Sequence, residues 1–358
     1  MPTYNLGLDV HKVRTQYCLM DPGGRILGEG NVPTEEVASL VPGPDCAVVL
    51  EATGSWHAAY DALCAAGAQV KLAHPSHVKA IASARVKTDK IDARILAHLL
   101  RCDLVPEAWA PPARTRELRD LVRLRWRFVA QRTTAKNRIS NLLARHCLRF
   151  TGTDLCGRAG RAWLAELELD AHSRTLIKLL IATIDEANAH VEALTARLHE
   201  LLDGDDELRL LQTIPGVGFL TAATLLAELG DASRFRTAGQ VSAYFGLVPR
   251  VRASADVAHY GRITRAGSPH ARCALVGAAH VAVRLPGPLA RPLPRACPPP
   301  RQEGRPGGGR ARAARTVLDP PRPQGGVPGS GLAGESRLRC AEGAQRPSLA
   351  RLGLPAAA

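Results

Sequence analysis

No Cys-x-x-Cys pair occurs among the nine cysteines, so neither a zinc site nor a disulfide framework is indicated. Free thiols fit a reducing cytosol, and a cytoplasmic location is expected. No apolar run is long enough to span a membrane, and a strand pattern begins directly after Met1-Pro2-Thr3, without a signal peptide. From Pro286 onward there is no lysine and no aromatic residue. That stretch holds 14 of the 26 prolines and has neither helical nor strand period, so it cannot bury enough apolar surface to fold. Residues 285–358 therefore read as a disordered tail. Either the tail is a genuine basic segment, or a frameshift near codon 285 produced it, since unpatterned Pro, Arg, Gly and Ala are what GC-rich codons give out of frame.

The 358 residues suffice for two or three domains. A net charge of +14 suggests a polyanionic partner, yet 12 of the 47 basic residues and only 4 of the 33 acidic ones lie in the tail. The local pattern is the better guide. Arg114, Arg116, Arg119, Arg123, Arg125, Arg127, Arg132, Lys136, Arg138 and Arg145 crowd one helical stretch in which Glu117 and Asp120 are the acidic residues. A charge run is more often a solvated face; here the scarcity of acids favours a surface facing phosphates, with Arg123, Arg127, Arg132, Lys136 and Arg138 as contacts.

Residues 1–105 alternate strands and helices. Tyr4–Val10, Thr15–Met20 and Arg25–Asn31 read as consecutive strands, Thr34–Leu40 as a short helix capped by Thr34, and Cys46–Ala52 as a buried strand. Ser55–Ala66, His77–Arg85 and Asp89–Arg101 read as helices, with a strand at Gln69–Ala73. Three antiparallel strands followed by alternating helix and strand is the order of the ribonuclease-H-like α/β fold. Pro106 to Pro112 reads as a linker opening a helical region over 106–205. Two long helices there, about Arg114–Phe150 and Ala171–Leu202, suggest an antiparallel hairpin, either a coiled-coil arm or part of an ordinary bundle. A compact helical domain is expected over 206–284. Its Ile214-Pro215-Gly216-Val217-Gly218 turn before Phe219–Leu229 has the helix-hairpin-helix form, in which Gly216 and Gly218 admit a phosphate to the helix amides. A tight turn between packed helices is the plainer alternative.

Four acids stand in an order that suits metal-dependent phosphodiester chemistry. Asp9 and Glu51 end short apolar runs that read as strands. Asp89 and Asp92 are three apart at the start of a helix and share a face. Such a cluster repels itself unless a divalent cation sits within it, and hard oxygen ligands suit magnesium or manganese. Taken singly, Asp9 and Glu51 would pass as turn residues, and Asp89 as a helix cap. His11 and Lys12 read equally as neighbours of the site or as solvated surface.

Gly7-Leu8-Asp9-Val10-His11-Lys12, Glu51-Ala52-Thr53-Gly54, His74-Pro75-Ser76-His77-Val78 and Lys87-Thr88-Asp89-Lys90-Ile91-Asp92-Ala93 closely resemble the N-terminal domain of the DEDD transposases of the insertion-sequence-110 family, relatives of the Piv invertase. Lys136-Asn137-Arg138-Ile139 is similar to that family's basic helix. Ile214 to Gly218, Ala243-Tyr244-Phe245-Gly246-Leu247-Val248-Pro249-Arg250 and Gly261-Arg262-Ile263-Thr264-Arg265-Ala266-Gly267 match its second half, so the resemblance runs from about residue 4 to 284. It implies a RuvC-like domain whose acids Asp9, Glu51, Asp89 and Asp92 bind magnesium, and a transposase domain with a serine nucleophile. The matching serine is Ser254, where Ala255 replaces the usual glycine; without the resemblance it would be a loop serine of no note. The resemblance further implies DNA as substrate, a bridge RNA that guides target choice, and a dimer or tetramer. Arg262 and Arg265 join the expected nucleic-acid contacts. Two other functions stay open: a RuvC-like nuclease using the four acids alone, and a non-catalytic nucleic-acid-binding remnant of a dead element.

Overall fold

The computed structural model describes residues 2–82, 88–254 and 257–286, with 252–254 and 257–258 as backbone alone. Two compact units divide at Pro111 and Pro112.

The first unit is a six-stranded sheet in the order β3-β2-β1-β4-β5-β6. Its strands are β1 (Tyr4–Val10), β2 (Arg14–Met20), β3 (Ile26–Pro33), β4 (Cys46–Glu51), β5 (Gln69–Ala73) and β6 (Glu107–Ala108). The central β1, β4 and β5 are parallel, while β2, β3 and β6 pair antiparallel. Strand alternation divides the core. Leu6, Leu8, Val10, Val48 and Leu50 pack with Val37 and with Trp56, Ala59 and Leu63 of α1 (Trp56–Ala65). On the opposite face Ala47, Val49 and Ala73 pack with Val78 of α2 (Pro75–Ile81) and with Leu96, Leu99 and Leu100 of α3 (Asp89–Arg101). Gly7 sits under α3 so closely that a Cβ would lie 2.3 Å from the Ala93 carbonyl oxygen.

Three details depart from the sequence reading. Thr34 does not cap its 3-10 segment, Thr34–Leu40; its hydroxyl donates to the His11 carbonyl and bonds the Thr15 hydroxyl. The segment 106–112 is not simply a linker, because β6 lies within it and closes the sheet edge against β5. Lys71 fastens that edge through Asp103 at 3.0 Å and Glu107 at 2.6 Å. The expected end of the second helix, at Arg85, lies outside the described residues.

The second unit is built on α4 (Ala113–Arg145) and α6 (Ala171–Leu201), with α5 (Arg158–Glu166) between them in sequence. The long helices run antiparallel: Arg125 reaches Thr195, Arg132 reaches Asn188, and His146 reaches Ser173. One end of the pair buries Ala135, Ile139, Leu142 and Leu143 against Ile177, Ile184 and Leu164. The other end places Leu118, Val122, Leu198 and Leu202 in a common core with α7 (Asp206–Gln212), α8 (Phe219–Leu229), α9 (Ala238–Tyr244) and α10 (Pro269–Ala282). The pair is thus packed into a bundle at that end. This C-terminal region is not wholly helical either. Pro249–Ser254 (β7) and Val257–Ile263 (β8) form an antiparallel hairpin. The tail from 287 onward, with its frameshift reading, lies outside the described residues.

Candidate catalytic site

Register sets Asp9 and Glu51 at neighbouring strand ends, and the group of ligand atoms that closes up around Asp9 is made with His11 and Asp89. β1 and β4 are parallel with Leu8 beside Leu50, so Asp9 and Glu51 follow side by side at the strand ends. Both alternate onto the face that α3 covers. The helix lies over Gly7 through Ala93 and Ala97, and one turn back it carries Asp92 and Asp89 toward Asp9. Asp89 is not the helix cap; Thr88 is, its hydroxyl accepting the Ile91 amide at 3.3 Å.

His11 Nε2 lies 3.3 Å from a carboxylate oxygen of Asp9 and 3.3 Å from one of Asp89. Ligand atoms of Asp9, His11 and Asp89 all fall within 4.8 Å of one another, an arrangement able to hold a metal ion. Burial raises the Asp9 carboxyl pKa above its ordinary value; His11 opposes this, while Asp89 and Asp92 push it further up. Lys90 does not neutralise its acidic neighbours in sequence, because it is drawn to Glu29 at 2.5 Å, where Arg94 also binds in a two-pronged pair. The carboxylate donors of the group would suit a hard divalent ion. At the same strand end the Thr53 hydroxyl is buried without a hydrogen-bond partner. His11 is the group whose place the sequence left open; its Asp-x-His spacing at a strand end was the available signal.

In the second unit, Ser254 ends β7 and its register partner is Val257. Its side chain, Ala255 and Asp256 lie outside the described residues. Ser268, the other serine nearby, is engaged: it caps α10 by accepting the Ala271 amide and bonds Glu228.

Much of the basic helix is occupied internally. Arg123 grips Glu228 through two contacts of 2.8 Å. Arg119 donates to the carbonyls of Ala227 and Glu228. Arg132 bonds Asn188, and Lys136 lies 3.3 Å from Asp154. Arg127, Arg138, Arg262 and Arg265 are exposed. Gly216, with φ of +87°, is pressed against α10, where a Cβ would meet the Ala278 carbonyl at 2.4 Å. That contact accounts for this glycine without a phosphate. Gly218 is exposed at the start of α8, with open space where a Cβ would stand.

A DEDD transposase pattern matches residues 6–148, and the pattern described as transposase IS116/IS110/IS902 family matches residues 208–293. The chain belongs to the IS110 family of transposases. It is 26% identical over 292 residues to the transposase for insertion sequence element IS1111A of Coxiella burnetii, covering 78% of each chain. It is 30% identical over 251 residues to a probable family 20 transposase of Pseudomonas aeruginosa, covering 67% of this chain and 72% of the relative. Pilin gene-inverting protein of Moraxella bovis is 27% identical over 208 residues, 57% of this chain and 56% of its own. Membership implies DNA as the partner and DNA transposition or recombination as the activity. The acids singled out above lie within the first matched segment of this IS110-family transposase, and Ser254 within the second. No described helix is long and apolar enough to cross a membrane.

Proposed function

We propose that this transposase cuts and rejoins the DNA of an insertion element through a phosphoserine intermediate, with a divalent cation held by Asp9, Glu51, Asp89 and Asp92. The observation that carries the reading is the convergence of Asp9, His11 and Asp89 at the sheet end, with ligand atoms within 4.8 Å of one another, in a chain of the IS110 family. Magnesium or manganese fits its hard donors, and when bound would stabilise the attacking and leaving oxygens of the phosphodiester. The Ser254 oxygen forms a bond to phosphorus as its proton passes to a nearby base. The bond from phosphorus to the deoxyribose oxygen breaks, and that oxygen takes up a proton. The new phosphoester conserves the energy of the broken link, so a second strand's hydroxyl can displace Ser254 and rejoin DNA without ATP. His11, between two carboxylates, orients them. Exposed Arg127, Arg138, Arg262 and Arg265 supply contacts to nucleic-acid backbone, and an element-encoded RNA selects the target.

Incubation with a suicide DNA substrate and Mg2+ tests the reading. The expected result is a protein–DNA adduct that survives denaturation and is absent from Ser254→Ala. An adduct persisting in that variant overturns the serine assignment, while Mg2+-dependent cleavage with no adduct assigns the chain to the nuclease reading.

A further inference from the structure

The β7–β8 hairpin stands on two feet, residues 245–248 and 264–267. Backbone bonds join them: the Thr264 amide donates to the Val248 carbonyl at 2.9 Å and the Arg265 amide to that of Gly246 at 3.1 Å. The approach is tight, since Gly246 has φ of +67° and a Cβ there would lie 2.3 Å from the Ala266 carbonyl. Arg265 holds φ of +57°, a left-handed backbone that a side-chain-bearing residue adopts only when its surroundings impose it.

Arg272, in the first turns of α10, is placed to impose it. Its Nη1 lies 3.1 Å from the Phe245 carbonyl, 2.6 Å from that of Ala266 and 3.1 Å from that of Gly267. One guanidinium therefore grips both feet. Among the described residues no carboxylate pairs with it, so its hydrogen bonding is directed at backbone carbonyls. The grip has a firm base. Ser268 caps the same helix and bonds Glu228, which is held by Arg123, and the Tyr244 hydroxyl donates to the Glu228 carbonyl.

We propose that Arg272 is a positioning residue for strand transfer: it locks the two feet of the hairpin and so fixes where Ser254 stands. The inference rests on Ser254 being the nucleophile. It adds a residue whose removal slows chemistry without weakening DNA binding. A misplacement of roughly 1 Å at a reacting group costs about 10²-fold in rate.

The test compares wild type, Arg272→Ala, Arg272→Lys and Ser254→Ala. The expected result is that Arg272→Ala forms the adduct about 10²-fold more slowly, with DNA affinity unchanged. Methylguanidinium in the buffer should restore part of the rate, and Arg272→Lys should fall between. In parallel, hydrogen exchange should quicken at the Thr264 and Arg265 amides while the α8 amides stay protected. An adduct that depends on Ser254 yet forms at the wild-type rate in Arg272→Ala overturns this inference alone. An adduct that survives Ser254→Ala overturns the nucleophile reading instead. If Arg272→Ala fails to fold, Arg272→Lys carries the comparison. If the wild-type chain forms no adduct, exchange decides, and unchanged protection of Thr264 and Arg265 overturns the proposal.

Discussion

Arg123 of α4 and Glu228 of α8 form a two-pronged ion pair, with both contacts at 2.8 Å and the Glu228 side chain only 3% exposed. The pair spans 105 residues of sequence and ties the long helix to the C-terminal core. Removing Arg123 would leave a buried carboxylate without its ion-pair partner. Arg123→Ala should therefore cost about 3 kcal/mol in urea unfolding. Replacing both partners with apolar residues should cost much less. Equal losses in the single and double variants would rule out a role for the pair.

The same pair sets an acid limit on stability. Burial pushes the Glu228 carboxyl pKa up, but the hydrogen bond and charge of Arg123, together with the charge of Arg119 and the Ser268 hydrogen bond, outweigh it, so the group lies below its ordinary value. A lowered carboxylate contributes stability that is complete above its unfolded pKa and lost as pH falls through its folded one. Wild type should thus lose stability below the ordinary glutamate range more steeply than the double apolar variant. Parallel curves would show that other carboxylates control acid unfolding.

Cation binding should show as heat stability. Adding Mg2+ should raise the Tm of the first unit's transition, because a ligand that binds only the folded state stabilises it. Asp9→Asn removes one member of a self-repelling cluster. It should raise Tm without metal and abolish the Mg2+ shift. A full Mg2+ shift in Asp9→Asn would place the ion elsewhere.

Gly7 is where the sheet admits α3. An added Cβ would meet helix backbone, at the Ala93 carbonyl and the Ala97 amide, which cannot rotate away. Gly7→Ala should cost about 2–3 kcal/mol. It should also lift Asp89 and Asp92 away from Asp9 and weaken Mg2+ binding. Normal Mg2+ affinity in this variant would show that the acids do not depend on that packing.

Salt dependence separates the free face of α4 from its engaged residues. Replacing exposed Arg127, Arg138 and Arg145 with alanine should lower the slope of log affinity against log salt by about 0.9 for each duplex phosphate no longer neutralised. Stability should be unaffected. An unchanged slope would mean that this face does not meet nucleic acid.

Local pattern was enough for much of the first unit. The apolar runs ending in Asp9 and Glu51 fall at β1 and β4, and α3 spans Asp89–Arg101, because buried strands and capped amphipathic helices carry their signals within a few residues. Partners distant in sequence were not legible. Nothing near Arg123 shows that Glu228 will claim it, so a helix that reads as a phosphate-facing surface spends part of its charge on its own fold. Gly216 reads as a phosphate-binding turn, yet its near neighbour is the α10 backbone. The β7–β8 hairpin was missed because its strands are short and the sequence between them, Ala255-Asp256, is not the usual Asn-Gly or Asp-Gly signal.

The sequence by itself determined the α/β order of the first unit, the four acids and their spacing, the long helices, and the motifs that place the chain among IS110-family transposases. These depend on period, caps and residue identity, which are local properties. Tertiary structure decided which acids approach one another, that His11 stands between Asp9 and Asp89, which arginines remain exposed, and that Arg272 grips both feet of the hairpin. Those outcomes depend on strand register, on Gly7 letting α3 down onto the sheet, and on contacts between residues far apart in the chain. Such contacts exist only once the chain has closed on itself.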